Sequence, residues 1–220
     1  MNKPKLLVFA SGSAEGGGSG FEKLVVASRD GMLDADIVGV VSNHERGGVH
    51  ARADKFGIPF IHFSAPWDEA SYREIADRSR AEFLALSGWL KQVHGLDPLL
   101  TFNIHPGPLP EFGGKGMYGH HVHEAVMAAY RRGEVTHSAL CMHFVDAEYD
   151  RGPCFFRFNV KIRDDDTPDS LGKRVNASEH EWQSVITSLV VHRKITWDGV
   201  DPASLQLPHA WYKPVLWDSR

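Results

Sequence analysis

Read for alternation of apolar and polar positions, the first half of the chain breaks into short β-branched or leucine-rich runs: KLLVFA (5–10), DIVGVVS (36–42), IPFIHF (58–63), EFLALSG (82–88) and LLTFNIH (99–105). Between them lie helix-length segments such as Trp67 to Ser79. Near-continuous apolar strands separated by helices indicate a mostly parallel sheet covered on both faces, a Rossmann-like α/β fold. A helix is expected from His121 to Arg131, followed by two strand-like runs, THSALCMHFV (136–145) and PCFFRFNVKI (153–162), around an Asp-Arg-Gly turn. These two are expected to pair as an antiparallel hairpin that extends the sheet. A long helix follows, with Thr167 as N-cap, Pro168 at N1 and Asp169 in the first turn; Leu171, Val175, Trp182, Ile186 and Leu189 recur at helical spacing.

In an extended strand, side chains alternate faces. Asn103 and His105 therefore share one face, with Phe102 and Ile104 on the other, just before the prolines of PGPLP stop the run. Ligands of open α/β sheets bind beyond the carboxyl ends of the strands, and this polar pair lies at such an end. A strand-end Asn that caps a turn and a His bonded to backbone would give the same pattern. The glycine-rich stretch SGSAEGGGSGFEKL (11–24) follows the first strand and opens a helix, the context in which backbone N–H groups cradle a phosphate. It is neither a dinucleotide fingerprint nor a Walker loop, and a plain flexible loop remains the other reading. In the last helix Glu179 falls within or beside the apolar stripe, four residues after Val175. A carboxylate there needs a partner: a ligand's hydroxyls, or solvent and a nearby arginine. Asp146, Glu148 and Asp150 crowd the turn between the last two strands, where aspartates also occur for turn geometry alone.

Composition narrows the partners. A net charge of −4, without blocks of like charge, offers no basic footprint for nucleic acid or for an anionic membrane, so small molecules are the expected ligands. No apolar stretch has the length to span a bilayer, and Leu6 to Ala10 is too short for a signal peptide core. Cys141 and Cys154, the only cysteines, are too few and too far apart in sequence for a C-x-x-C site or a disulfide framework. Free thiols and a cytoplasmic location are expected. Without a repeat or a linker, residues 1–220 are expected to form one domain, with a phosphate-binding half (1–100) and a catalytic half (101–220). His120, His121 and His123 follow a glycine-rich loop; with Asp150, His121 and His123 could hold a metal and make a hydrolase.

FNIHPGPLPEFGGKGMYG, then HFVDAEYDRGP, then NASEHEW, in this order over nearly the whole chain, resembles the phosphoribosylglycinamide formyltransferases of purine synthesis. The resemblance implies transfer of a formyl group from 10-formyltetrahydrofolate to the amine of glycinamide ribonucleotide, without a metal, by a cytoplasmic monomer or homodimer. It implies Asn103, His105 and Asp150 as the catalytic trio. It places Gly12, Ser13, Gly18, Ser19 and Gly20 at the substrate's phosphate and Glu179 at its ribose hydroxyls. Trp89, Leu90, Lys91, Gln92 and Val93, with His143, Val145 and Asp146, meet the folate. One departure is visible: the family's phosphate loop is shorter and carries an Asn where this chain has SAEGGGSG. Asp150 beside His105 is expected to favour imidazolium and raise the histidine pKa. A methionyl-tRNA formyltransferase would need a basic nucleic-acid-binding domain, and a formyltetrahydrofolate hydrolase an amino-terminal regulatory domain. A formyltransferase for an amino sugar nucleotide shares the trio and stays open.

Overall fold

The computed structural model describes residues 2–208 and 215–217. Eight strands form one sheet: β1 (Lys5–Phe9), β2 (Asp36–Ser42), β3 (Phe60–His62), β4 (Phe83–Ser87), β5 (Thr101–His105), β6 (His137–Phe144), β7 (Cys154–Lys161) and β8 (Val215–Trp217), in the order β3-β2-β1-β4-β5-β6-β7-β8. The first five run parallel, as their continuous apolar runs require, and β6 and β7 form the expected antiparallel hairpin. Five helices cover it: α1 (Ser19–Asp30), α2 (Gly48–Phe56), α3 (Glu69–Ser79), α4 (His120–Arg131) and α5 (Pro168–Val191). α2 fills the helix-length interval between the apolar runs that become β2 and β3. Near the carboxy terminus, Val215–Trp217 adds β8 in parallel to β7; residues 211–214 lie outside the described residues.

The pleat sorts the core into two layers. Leu6 and Val8 of β1 and Phe83 and Ala85 of β4 face a large cluster shared with Phe21 and Leu24 of α1 and Val175 and Ile186 of α5. Leu7 and Phe9, with Leu84 and Leu86, face a smaller aromatic cluster built on Tyr72, Phe63 and Trp89. Strand order reverses at β1, whose neighbours are β2 and β4, so the loops after β1 and β4 diverge and open a crevice there. The wall of that crevice is α5. Thr167 caps it as the sequence predicts, its hydroxyl accepting from Ser170 N at 3.1 Å, and Ser170 Oγ accepts from Thr167 N in return.

Cys141 and Cys154 are distant in sequence but not in space: hairpin register sets Cys154 opposite His143, on the face Cys141 shares, and the Cys154 thiol donates to Phe156 O at 3.3 Å. Both are free. The interaction between the two thiols raises the Cys141 pKa and lowers that of Cys154.

Candidate active site

At the carboxyl end of β5, Asn103 and His105 face the same side, as the alternation predicts, while Phe102 and Ile104 enter the large core. The loop before β7 brings Asp150 to meet them. Asp150 adopts a left-handed backbone (φ 55°), a conformation that Asp tolerates better than most residues and that tends to occur at functional turns. Its Oδ2 accepts from Gly114 N at 2.9 Å and lies 3.7 Å from His105 Nδ1. Its Oδ1 lies 3.4 Å from both Asn103 Nδ2 and His143 Nε2.

Two backbone carbonyls fix the ring states. His105 Nε2 is 2.8 Å from Phe112 O, so that nitrogen carries the proton and Nδ1 presents a lone pair toward Asp150. His143 Nδ1 is 2.7 Å from Phe144 O, so its Nε2 accepts from Asn103 Nδ2 at 3.1 Å. His143 is the cross-strand partner of Asn103 in the β5–β6 register. It lines the smaller recess, yet both its ring nitrogens are taken by protein atoms, and its contact with Asn103 was not foreseen. The remaining N–H of Asn103 meets only the 3.4 Å acceptor on Asp150, long for an N–H···O bond and open to a better one.

The expected rise in the His105 pKa is overturned. The ring is 3% exposed, and burial pushes its pKa below the ordinary value; the Asp150 charge opposes this but does not prevail. His105 is a neutral imidazole at neutral pH. Burial also pushes the Asp150 carboxyl up, but its contacts with His143 and His105 and the bond from Gly114 N–H outweigh burial and hold the group below its usual range.

These groups line a cavity of about 740 Å³, within the range of small-molecule sites. Its far end is the glycine-rich segment. Gly12, Ser13, Gly18, Ser19 and Gly20 all line it. The loop is pinned rather than loose: Ser13 N donates to Gly16 O (2.8 Å), Ser13 Oγ accepts from Gly16 N (3.0 Å), and Gly48 N reaches Ser13 O. A Cβ on Gly48 would lie 2.4 Å from Gly16, so the close approach needs glycine there. Gly18 caps α1 without a side-chain bond, leaving the first backbone N–H groups of the helix to a ligand.

Glu179 of α5 lines the same cavity, its Oε2 accepting from Asn176 Nδ2 at 2.9 Å. Desolvation pushes its pKa up to about 7 against that bond. A recess of about 50 Å³ adjoins at Asn103 and Asp150, lined by Trp89, Lys91, Gln92, Val93, Val145 and Asp146. Leu90 lies on the wall of the large cavity, 41% exposed, its N–H bonded to Ser11 Oγ. The indole of Trp89 turns into the aromatic core and donates to Tyr72 Oη, so only its backbone is left for a ligand. Tyr72 in turn donates to Gln92 O at 2.9 Å.

The histidines proposed as metal ligands separate. His121 is exposed and bonded to Glu124, whereas His123 is buried against Gly172 with its pKa pushed down to about 4 by desolvation. No group of three His, Cys, Asp or Glu side chains able to hold a metal occurs among the described residues. Asn176, His180 and Gln183 also line the cavity from α5; their spacing of four and then three residues, one helical turn each, was the available signal.

A donor amide, a neutral imidazole and a carboxylate converge at the carboxyl end of β5 in an open α/β fold. Residues 4–187 match the formyl transferase family model, and the chain belongs to that family. The phosphoribosylglycinamide formyltransferase named as chloroplastic from Arabidopsis thaliana is 36% identical over 90% of this chain and 70% of its own length. Its Bacillus subtilis counterpart is 30% identical over 84% and 94%. Among solved structures, glycinamide ribonucleotide transformylase 1 from Geobacillus kaustophilus superposes with a TM-score of 0.73 at 27% identity, covering 86% of this chain and all of that one. Phosphoribosylglycinamide formyltransferase from Anaplasma phagocytophilum shares the fold over 99% of this chain, with a TM-score of 0.80.

Proposed function

We propose that this protein moves a formyl group from 10-formyltetrahydrofolate to the amine of glycinamide ribonucleotide in purine biosynthesis, without a metal. The carrying observation is the meeting of Asn103, His105 and Asp150 between a cavity floored by a glycine-rich helix start and a recess lined by residues 89–93. The acceptor's phosphate sits at the first turn of α1, its ribose against Glu179, and its amine toward His105; the pterin lies along Leu90 to Val93.

Attack by the amine on the formyl carbon breaks the carbonyl π bond and places negative charge on oxygen. Asn103 donates its freed N–H to that oxygen, its orientation fixed by His143. The amine's proton passes to His105 Nδ1, the lone pair left by the Phe112 carbonyl, and the Asp150 carboxylate stabilises the imidazolium so formed. The same proton then goes to N10 of the folate as the C–N bond breaks and the carbonyl re-forms. Low dielectric strengthens each contact. Cytoplasmic residence belongs to the same proposal and rests on the free thiols; the chloroplastic label belongs to the Arabidopsis protein.

The test is incubation with 10-formyltetrahydrofolate and a panel of amines, following loss of the formyl group from the folate by absorbance. Turnover with glycinamide ribonucleotide is expected; turnover only with an amino sugar nucleotide, or with none of the amines, overturns the assignment.

A further inference from the structure

Gln183 lies one helical turn beyond Glu179 on α5, and Ser87 ends β4; both line the cavity, yet they are only 2% and 7% exposed. Gln183 Nε2 donates to Ser87 Oγ at 2.9 Å. The glycine beneath them has no room for more: a Cβ on Gly20 would lie 2.2 Å from Ser87 Oγ and 3.0 Å from Gln183 Oε1. A buried amide is an expensive way to join a helix to a strand, since two apolar side chains of the same shape would do so without desolvating polar groups. Among the described residues, Gln183 Oε1 has no donor and the Ser87 hydroxyl hydrogen no acceptor. The pair therefore offers an acceptor, Gln183 Oε1, beside the Ser87 hydroxyl donor at the cavity wall, with the second Nε2–H of Gln183 a further donor. A hydroxyl satisfies both at once, giving its hydrogen to Gln183 and accepting from Ser87. A phosphate oxygen would oppose the Gln183 lone pairs, and a methylene would satisfy neither.

We propose that Gln183 and Ser87, held over the bare backbone of Gly20, read one sugar hydroxyl of the acceptor, which makes them specificity-determining residues beside Glu179. This rests on the reading of the cavity as the acceptor site. The test uses calorimetric binding of ribose 5-phosphate and its 2-deoxy and 3-deoxy counterparts to wild type, Gln183→Met and Ser87→Ala, with Gly20→Ala as an independent perturbation. Gln183→Met conserves volume and so spares the fold. Each variant is expected to bind ribose 5-phosphate about tenfold more weakly, the scale of one lost hydrogen bond, and to lose the wild type's preference over one of the two deoxy sugars. Unchanged affinity, an equal drop for all three sugars, or no binding of ribose 5-phosphate by wild type would overturn it. Formyl transfer to glycinamide ribonucleotide, measured alongside, separates the two proposals. Loss of hydroxyl discrimination with no transfer to that amine sinks the acceptor assignment alone, whereas transfer with an unaltered acceptor KM in the variants sinks the hydroxyl reading alone.

Discussion

Glu179→Gln should strengthen the fold and weaken acceptor binding, in proportions that depend on pH. Burial moves the carboxyl from 4.5 to about 7, so the folded protein holds a proton that the unfolded chain would release. For an acid raised in this way, stability is undiminished below the unfolded value and is lost as pH rises through the folded one. At pH 8 the full shift corresponds to about 3 kcal/mol, at 1.36 kcal/mol for each pKa unit. Glu179 is only partly covered by area because its carboxylate opens onto the cavity, so water screens it and about 1 to 2 kcal/mol is the working figure. Glutamine keeps the shape and removes the charge. Thermal melts of both proteins at pH 5 and pH 8 are therefore expected to show the variant ahead by several degrees at pH 8 and by much less at pH 5. Over the same span the wild type's KM for the acceptor should rise below pH 7, as the carboxylate that receives hydroxyls is protonated, while the variant's stays high and flat. A variant less stable than wild type at pH 8, or equally displaced at both pH values, would refute the argument that the fold holds this charge at a cost.

Asn103→Ala should lower kcat by about 100- to 1000-fold, the scale of a lost oxyanion donor, with a melting temperature near wild type; a tenfold effect would remove the amide from the transition state. Neutral His105 places the acid limb of the kcat/KM profile below the ordinary histidine range, and Asp150→Asn, which removes the charge that raises the ring's pKa, should shift the residual activity's limb to lower pH; a shift upward contradicts the geometry. Tyr72→Phe strips the partner from Trp89 Nε1 and from Gln92 O, costs about 2 kcal/mol in denaturant unfolding, and should raise the folate KM more than the acceptor KM. Dialysis against a chelator should leave turnover unchanged, measured in the formyl-transfer assay.

What could be read from the sequence was what period and local chemistry determine. Alternation alone put Asn103 and His105 on one face, Thr167 announced the start of α5, and the spacing from Val175 set Glu179 beside the core face. What could not be read depends on register between distant segments. Nothing local to His143 says that it stands opposite Asn103, and the interval between Cys141 and Cys154 conceals that a hairpin lays them side by side. The His105 pKa failed for a related reason: the neighbouring carboxylate was visible in the motif, but the depth of the ring, which decides the sign, is a property of the closed fold. Gln183 and Ser87, 96 positions apart, become a pair only when α5 lies across the end of β4.

The register of β5 against β6 has an effect on quality control. Because side chains alternate, a slip of one position along β6 would carry the imidazole at 143 to the opposite surface and leave the amide at 103 without its anchor. Chains in which β6 has paired one position out of register with β5 would thus be silent rather than sluggish, and the active fraction of a preparation would count the molecules whose β5–β6 ladder is aligned.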